Sequence, residues 1–207
     1  MKKLRPILFS TPMVQAILEG RKTQTRRVVK ARSYITDVAD DIPYEMTEDD
    51  HQPIKCPYGK VGDVLWVRET FSKIIPLEKS ESVFVFKADD DCYKDYVEDW
   101  QGWKPSIHML FEAARIFLAI TNIRVERLYD ISQQDSINEG IEYLGTGDYG
   151  PEWKCYFDPK HDTPPYTSPQ NSFMSLWVSI NGLDSWDANP WVWVVEFKRI
   201  TKEEALS

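Results

Sequence analysis

Residues Trp191–Ile200 constrain the fold more than any other stretch of the chain. Trp191, Trp193, Val195 and Phe197 alternate there with Val192, Val194 and Glu196, the period-two pattern of a β-strand. A strand of this length needs partners. Arg115–Leu128 is a second long β-type run, with Ile116, Leu118 and Ile120 on one face. Pro6–Ser10, Thr23–Lys30, Val64–Arg68 and Val83–Lys87 read as shorter strands, the third entered through the turn Gly59-Lys60-Val61-Gly62-Asp63.

Helical signals are few. Ser10 or Thr11 caps a helix with Pro12 in its first turn, Met13, Val14, Ile17 and Leu18 as its buried stripe, and Gly20 at its end. Ser132-Gln133-Gln134-Asp135 resembles a capping box opening a short helix that stops at Gly140. Ser168-Pro169 starts a third, with Phe173, Leu176, Trp177 and Ile180 at helical spacing and Asn181-Gly182 as its stop. Two segments break the pattern. Residues 31–58 are rich in Asp, Glu and Pro, and residues 143–167 in Gly, Pro and Tyr; both read as loop insertions. Residues 89–103 are acidic and aromatic at once, an irregular excursion anchored by its rings. Many short strands, few helices and a length of 207 residues predict one α+β domain built on a curved sheet or small barrel.

Charge is distributed unevenly. The chain has 25 Lys/Arg and 33 Asp/Glu, a net charge of −8. Residues 1–33 nevertheless hold nine bases against one acid, a formal +8, and the remainder holds 16 bases against 32 acids. Such a body repels broad duplex DNA binding, while the basic segment suits a local site for an anionic or hydrogen-bond-rich ligand. Cys56, Cys92 and Cys155 are odd in number and widely spaced, which argues for reduced thiols and a cytoplasmic setting. No apolar run is long enough to span a bilayer, and the N-terminus lacks the apolar core of a signal peptide. His51, His108 and His161 are far apart and no CxxC pair is present, so neither a metal nor another cofactor is expected. Walker, dinucleotide-binding and nucleophile-elbow motifs are absent from the sequence.

Gly20-Arg21-Lys22-Thr23-Gln24-Thr25-Arg26-Arg27 after a helix, then Gly59–Asp63 before a strand, then Leu128-Tyr129-Asp130-Ile131-Ser132 leading into Glu139-Gly140-Ile141, and last the Trp191–Lys198 strand, together resemble the ASCH domain of the PUA-like superfamily. Trp66-Val67-Arg68-Glu69-Thr70 and Pro105-Ser106-Ile107-His108-Met109 are similar to a phage- and prophage-associated branch of it. The resemblance implies a PUA-like curved β-barrel with a cleft for RNA or a nucleotide. It also implies a distant similarity to small amidohydrolases that deacylate N4-acetylcytidine, whose lysine, threonine and glutamate correspond here to Lys22, Thr25 and Glu139. Another branch cleaves RNA.

The residues themselves make such chemistry physically intelligible. Amide hydrolysis needs a nucleophile, a proton acceptor and a stabilised oxyanion. A threonine hydroxyl attacks only if a base takes its proton. A lysine serves only if burial or neighbouring cations depress its pKa, and Arg21, Arg26 and Arg27 are such cations. Glu139 relays the proton but also favours charged Lys22, so the two influences oppose. Lys22 and Thr25 are three residues apart and point to opposite faces of a regular strand, so they converge only if the chain turns or bulges after Gly20. Trp66 and Arg68 share a strand face, a pairing that holds single-stranded bases.

Three readings are therefore open. In the first, a basic cleft binds RNA, a nucleotide or a modified nucleoside through Arg21, Arg26, Arg27, Trp66 and Arg68. In the second, Lys22, Thr25 and Glu139 form an amidohydrolase. In the third, the acidic-aromatic insertions dock a protein partner.

Overall fold

The computed structural model describes residues 2–31, 35–39, 41–46, 51–75, 82–89, 102–157 and 163–207. Residues 90–101, the greater part of the acidic-aromatic excursion, lie outside them.

The two long β-type runs pair with each other and form the backbone of the fold. Strand β9 (Phe117–Arg127) runs antiparallel to β12 (Trp191–Ile200), from Trp191 opposite Arg127 to Ile200 opposite Phe117, with one irregularity between Glu196 and Phe197. Shorter strands extend this pair on both sides. The five-stranded sheet has the order β1 (Leu4–Leu8), β6 (Val64–Arg68), β9, β12, β2 (Gln24–Val28). Only β1 and β6 are parallel.

Both faces of β12 are buried, which explains its nearly continuous apolar sequence. Trp193, Val195 and Phe197 join Ile7, Phe9, Val14, Leu65 and Leu118 in the largest core. Val192 and Val194 face a second core with Leu128, Ile141, Phe173 and Trp177. The last two belong to helix α3 (Pro169–Asn181). A third cluster gathers Val64, Phe86, Met109 and Phe117.

The barrel expected from the sequence is not closed among the described residues. Strands β1 and β2 are the two edges of the sheet and do not pair. The sheet instead curves until these edges approach, and side chains fill the gap. The Arg27 guanidinium on β2 donates to the Leu8 carbonyl on β1 at 2.7 Å and lies 5.4 Å from the centroid of the Phe9 ring. Helix α1 (Thr11–Leu18) packs into the same region through Val14 and Ile17, so an apolar helix does what further strand pairing would do in a barrel.

Both segments expected as loops contain strands. The first carries a three-stranded antiparallel meander, β3 (Ile35–Ala39), β4 (Ile42–Met46) and β5 (His51–Pro53). The second carries the hairpin β10 (Tyr143–Gly147) and β11 (Gly150–Trp153). Their acidic and turn-forming residues mask short β-propensity runs, and Ile35 and Val38 add a partial apolar anchor against the main core. Strands β7 (Phe71–Ile74) and β8 (Val83–Phe86) form another hairpin. Helix α2 (Gln133–Asn138) starts as the capping box suggests, the Ser132 hydroxyl accepting from the Asp135 N–H at 3.0 Å. The short helices α4 (Asp184–Asp187) and α5 (Lys202–Leu206) complete the chain. Among the described residues no helix is long and apolar enough to cross a membrane.

Leu118 is fully buried between β6 and β12. Leu118→Ala is expected to lower the unfolding free energy by about 2–5 kcal/mol, the range for a buried leucine truncation, read from the midpoint of urea denaturation.

Candidate functional site

The site begins where α1 ends. Gly20 adopts a φ of +78° and turns the chain, and the Lys22 N–H then donates back to the Ala16 carbonyl at 3.0 Å. Before β2 begins, Lys22 forms an isolated antiparallel bridge with Glu139, which caps the C-terminus of α2. The Thr23 N–H donates to the Asn138 carbonyl at 2.9 Å beside it. Gly140 makes this approach possible. It has a φ of +88°, and a Cβ there would lie 2.8 Å from Lys22 Cβ and 3.0 Å from Ala16 Cβ.

This backbone contact buries a pair of opposite charges. The Lys22 ammonium donates to Glu139 Oε2 and to the Glu139 carbonyl, both at 2.8 Å. Arg26 donates to the other carboxylate oxygen, Oε1, at 3.0 Å. The Lys22 and Arg26 side chains are 0% exposed and that of Glu139 4%. Arg26 also pairs with Glu126 and, at 3.5 Å, with Asp135. Arg124 holds the same two carboxylates at 3.0 and 3.1 Å and reaches Glu196. Lys22, Arg26 and Arg124 thus share four carboxylates in one continuous network that ties β2, β9, β12 and α2 together.

Burial lowers the Lys22 pKa below the ordinary lysine value, and the pairing with Glu139 opposes it. Arg27 and Arg26 push in the same direction as burial, and the net shift is downward. For Asp135, burial acts upward, but the Ser132 hydrogen bond and the charges of Arg26 and Arg124 hold its carboxyl below the usual range.

A cavity of about 70 Å³ adjoins the pair, lined by Thr25, Arg26, Glu139, Phe173 and Trp177 among others. Through Met13, Glu139, Leu176 and Ile180 it adjoins a wider cleft of about 610 Å³ between α1 and α3. Arg21, Glu142, Lys154, Tyr156 and Phe157 surround that cleft. Glu139 is common to both, whereas Lys22 lies behind it. Thr25 pairs with Val195 on one face of β2, and Arg26 pairs with Val194 on the other. The cavity reaches both faces because β2 is an edge strand with open space beside it. Strand parity also fixes the backbone there. Thr23 and Val29 direct their peptide groups toward β12, so the N–H of Arg26, an odd number of residues from each, points to the free edge that the cavity occupies.

The structure therefore brings Thr25 and Glu139 to one cavity, with Lys22 bonded directly to Glu139. No hydrogen bond joins the Thr25 hydroxyl to Lys22 among the described residues. Arg21 stands at the cleft, donating to Glu19 at 2.6 Å and to the Gly140 carbonyl at 2.6 Å. Arg26, expected as a cationic wall, is instead enclosed by carboxylates, and Arg27 lines the cavity while tethered to Leu8. Trp66 and Arg68 do not join the group. Trp66 packs edge-on against Phe111 at 5.4 Å, and Arg68 lies 5.7 Å from the Trp66 ring centroid and donates to the Ile107 carbonyl. Neither lines the cavity or the cleft.

Sequence reasoning missed Arg124, Glu126 and Asp135, which complete the charge network, and Tyr156 at the cleft. Arg124 and Glu126 do stand two apart on a strand, a spacing that places both on one face. Tyr156 accepts from the Glu142 N–H at 2.9 Å, and burial pushes its hydroxyl up to about 12.

Among the described residues no group of three or more His, Cys, Asp or Glu is arranged to hold a metal ion. Comparison with protein-family models, curated proteins and solved structures gave no match.

Two measurements check this geometry. Gly140→Ala forces a side chain against Lys22 and Ala16 at a positive φ, and is expected to destabilise the protein by about 1–3 kcal/mol in urea denaturation. Because folded Lys22 releases its proton at lower pH than unfolded lysine, the unfolded chain binds more protons between the depressed value and 10.5. Stability from this group is therefore expected to rise with pH across that window, and Lys22→Met to flatten the rise in urea titrations at stepped alkaline pH.

Proposed function

We propose that the chain is an ASCH-type, PUA-like domain that hydrolyses the exocyclic amide of an N4-acylated cytosine nucleoside bound between α1 and α3. One observation carries this reading: a lysine stripped of water and lowered in pKa is bonded to the glutamate that, with a threonine, lines the adjoining cavity. A structural ion pair alone has no need of a hollow beside it, and a threonine at the floor of that hollow supplies a nucleophile.

The chemistry follows from the placement. The Thr25 oxygen forms a bond to the acyl carbon while its proton passes to Glu139, with Lys22 behind it as the base. The carbonyl electron pair moves onto oxygen, and the Arg26 N–H at the free edge of β2 donates to that oxyanion. Collapse breaks the carbon–nitrogen bond, and the departing N4 amine takes the proton back. Water then cleaves the acyl-threonine ester, releasing the carboxylate and restoring the hydroxyl.

Binding of RNA by a cationic wall has less support. Arg26 is enclosed by carboxylates, and Arg21 pairs with Glu19. Around the cleft Lys154 pairs with Glu142 at 2.6 Å. A compensated cleft suits a neutral nucleoside better than a phosphate chain.

Acetate release from N4-acetylcytidine tests the proposal. Thr25→Ala, Lys22→Met and Glu139→Gln are each expected to lower kcat at least about a hundredfold with the far-ultraviolet circular dichroism of the wild type. Thr25→Ser is expected to retain part of the activity. Wild-type protein that releases no acetate overturns the proposal.

A further inference from the structure

A second concave region lies where β2, β9 and β12 end side by side. It is a shallow groove of about 630 Å³, lined by Val29, Lys30, Ile35, Arg127, Pro190 and Trp191 among others. The residues around it include two cations and no carboxylate, in a chain of net charge −8. Strand pairing builds it. Arg127 and Trp191 are cross-strand partners, and the Val29 N–H donates to the Trp191 carbonyl at 2.9 Å, which brings Lys30 alongside.

The cations here are used differently from those of the charge network. Arg21, Arg26, Arg115 and Arg124 all pair with carboxylates. Arg127 instead donates to the Asn189 carbonyl at 3.1 Å and lies 4.4 Å from the Trp191 ring centroid. Lys30 is exposed and has no ion pair among the described residues. A guanidinium layered over an indole leaves its outer plane free, and a flat base stacks on such a plane. One edge of that guanidinium is already held by Asn189, so forked recognition of an acidic side chain is less well served than stacking. Lys30 then offers a point charge for a phosphate beside an apolar floor.

We infer that this groove binds a single-stranded nucleic acid, with one base on the Arg127–Trp191 layer and a neighbouring phosphate at Lys30. The groove also continues the site along β2. Thr25 to Val28 line the cavity and Val29 to Ala31 the groove, and Thr25 and Lys30 stand ~17 Å apart along an extended strand. A strand lying along this edge places one nucleotide at Glu139 and a later one at Arg127. That second consequence rests on the proposed hydrolysis, whereas the binding itself does not.

Fluorescence anisotropy with labelled oligouridylate and oligodeoxythymidylate tests the binding. Wild type is expected to bind at low salt, the ribose and deoxyribose arms reporting whether the 2′-hydroxyl contributes. In the Lys30→Gln/Arg127→Gln protein, affinity is expected to fall about tenfold or more, and the salt slope to shrink by about 1.4 for two lost phosphate contacts. Lys30→Glu alone, at an exposed and unpaired position, is expected to weaken binding without altering the fold. No binding by wild type, unchanged affinity in the double variant, or equal affinity for an oligoglutamate peptide overturns the inference. Acetate release from free N4-acetylcytidine is expected to be the same in wild type and the double variant. Absent acetate release with intact oligonucleotide binding counts against the hydrolysis alone.

Discussion

The enclosed contact of Lys22 with Glu139 governs the rest of the molecule. Two charges removed from water carry a desolvation cost of several kcal/mol each, and their attraction offsets it only when geometry is good and remaining hydrogen bonds are satisfied. Here the ammonium meets both a carboxylate oxygen and a carbonyl at the end of α2, and the second carboxylate oxygen meets Arg26. Removing one member leaves another buried without its partner, a loss of about 3–5 kcal/mol in comparable pairs. The position of α2 against β2, and hence the floor of the cleft, depends on this arrangement. Gly140 belongs to the same constraint, because the chain cannot bring Glu139 to Lys22 if a side chain stands between them.

The same network changes the meaning of the basic segment. Its formal excess of positive charge suggests an exposed face for anions, yet its central cations are drawn inward. Glu126, Asp135, Glu139 and Glu196 come from three separate parts of the chain and surround them. The sequence shows the cations as a cluster because they are contiguous, and hides the carboxylates because strand pairing, not proximity in sequence, delivers them. Uncompensated cations are found elsewhere, at Lys30 and Arg127, the first at the end of the segment and the second far outside it.

The parts legible in advance were those fixed by local physics. The long strands, the Pro12 helix, the capping box at Ser132 and the stop at Gly182 are set by periodicity and by capping, and each lies where those signals put it. The association of Lys22 with Glu139 came from resemblance, since 117 residues separate them. Trp66 and Arg68 illustrate the limit. Alternation correctly placed them on one face of β6, but nothing local says that this face leads to Phe111 and away from the cavity. The meander and the hairpin within the two insertions were illegible for another reason: short strands among acids and prolines carry little periodic signal.

An edge strand at the centre of the site resolves the difficulty raised by the spacing of Lys22 and Thr25. In an interior strand, side chains three apart would open into separate compartments. Strand β2 has β12 on one side only, so space beside its free edge is continuous with both of its faces, and groups from opposite faces meet around the edge. The free edge also leaves the peptide groups of Gln24, Arg26 and Val28 unclaimed by the sheet. An exposed edge of this kind ordinarily invites pairing with another chain. Helices α1 and α3 flank it with Met13, Leu176 and Ile180, which leaves room for a small ligand and hinders the approach of a further strand. Opening the barrel at β1 and β2 is therefore what creates the cleft, and a fully closed sheet of the same strands would have sealed it.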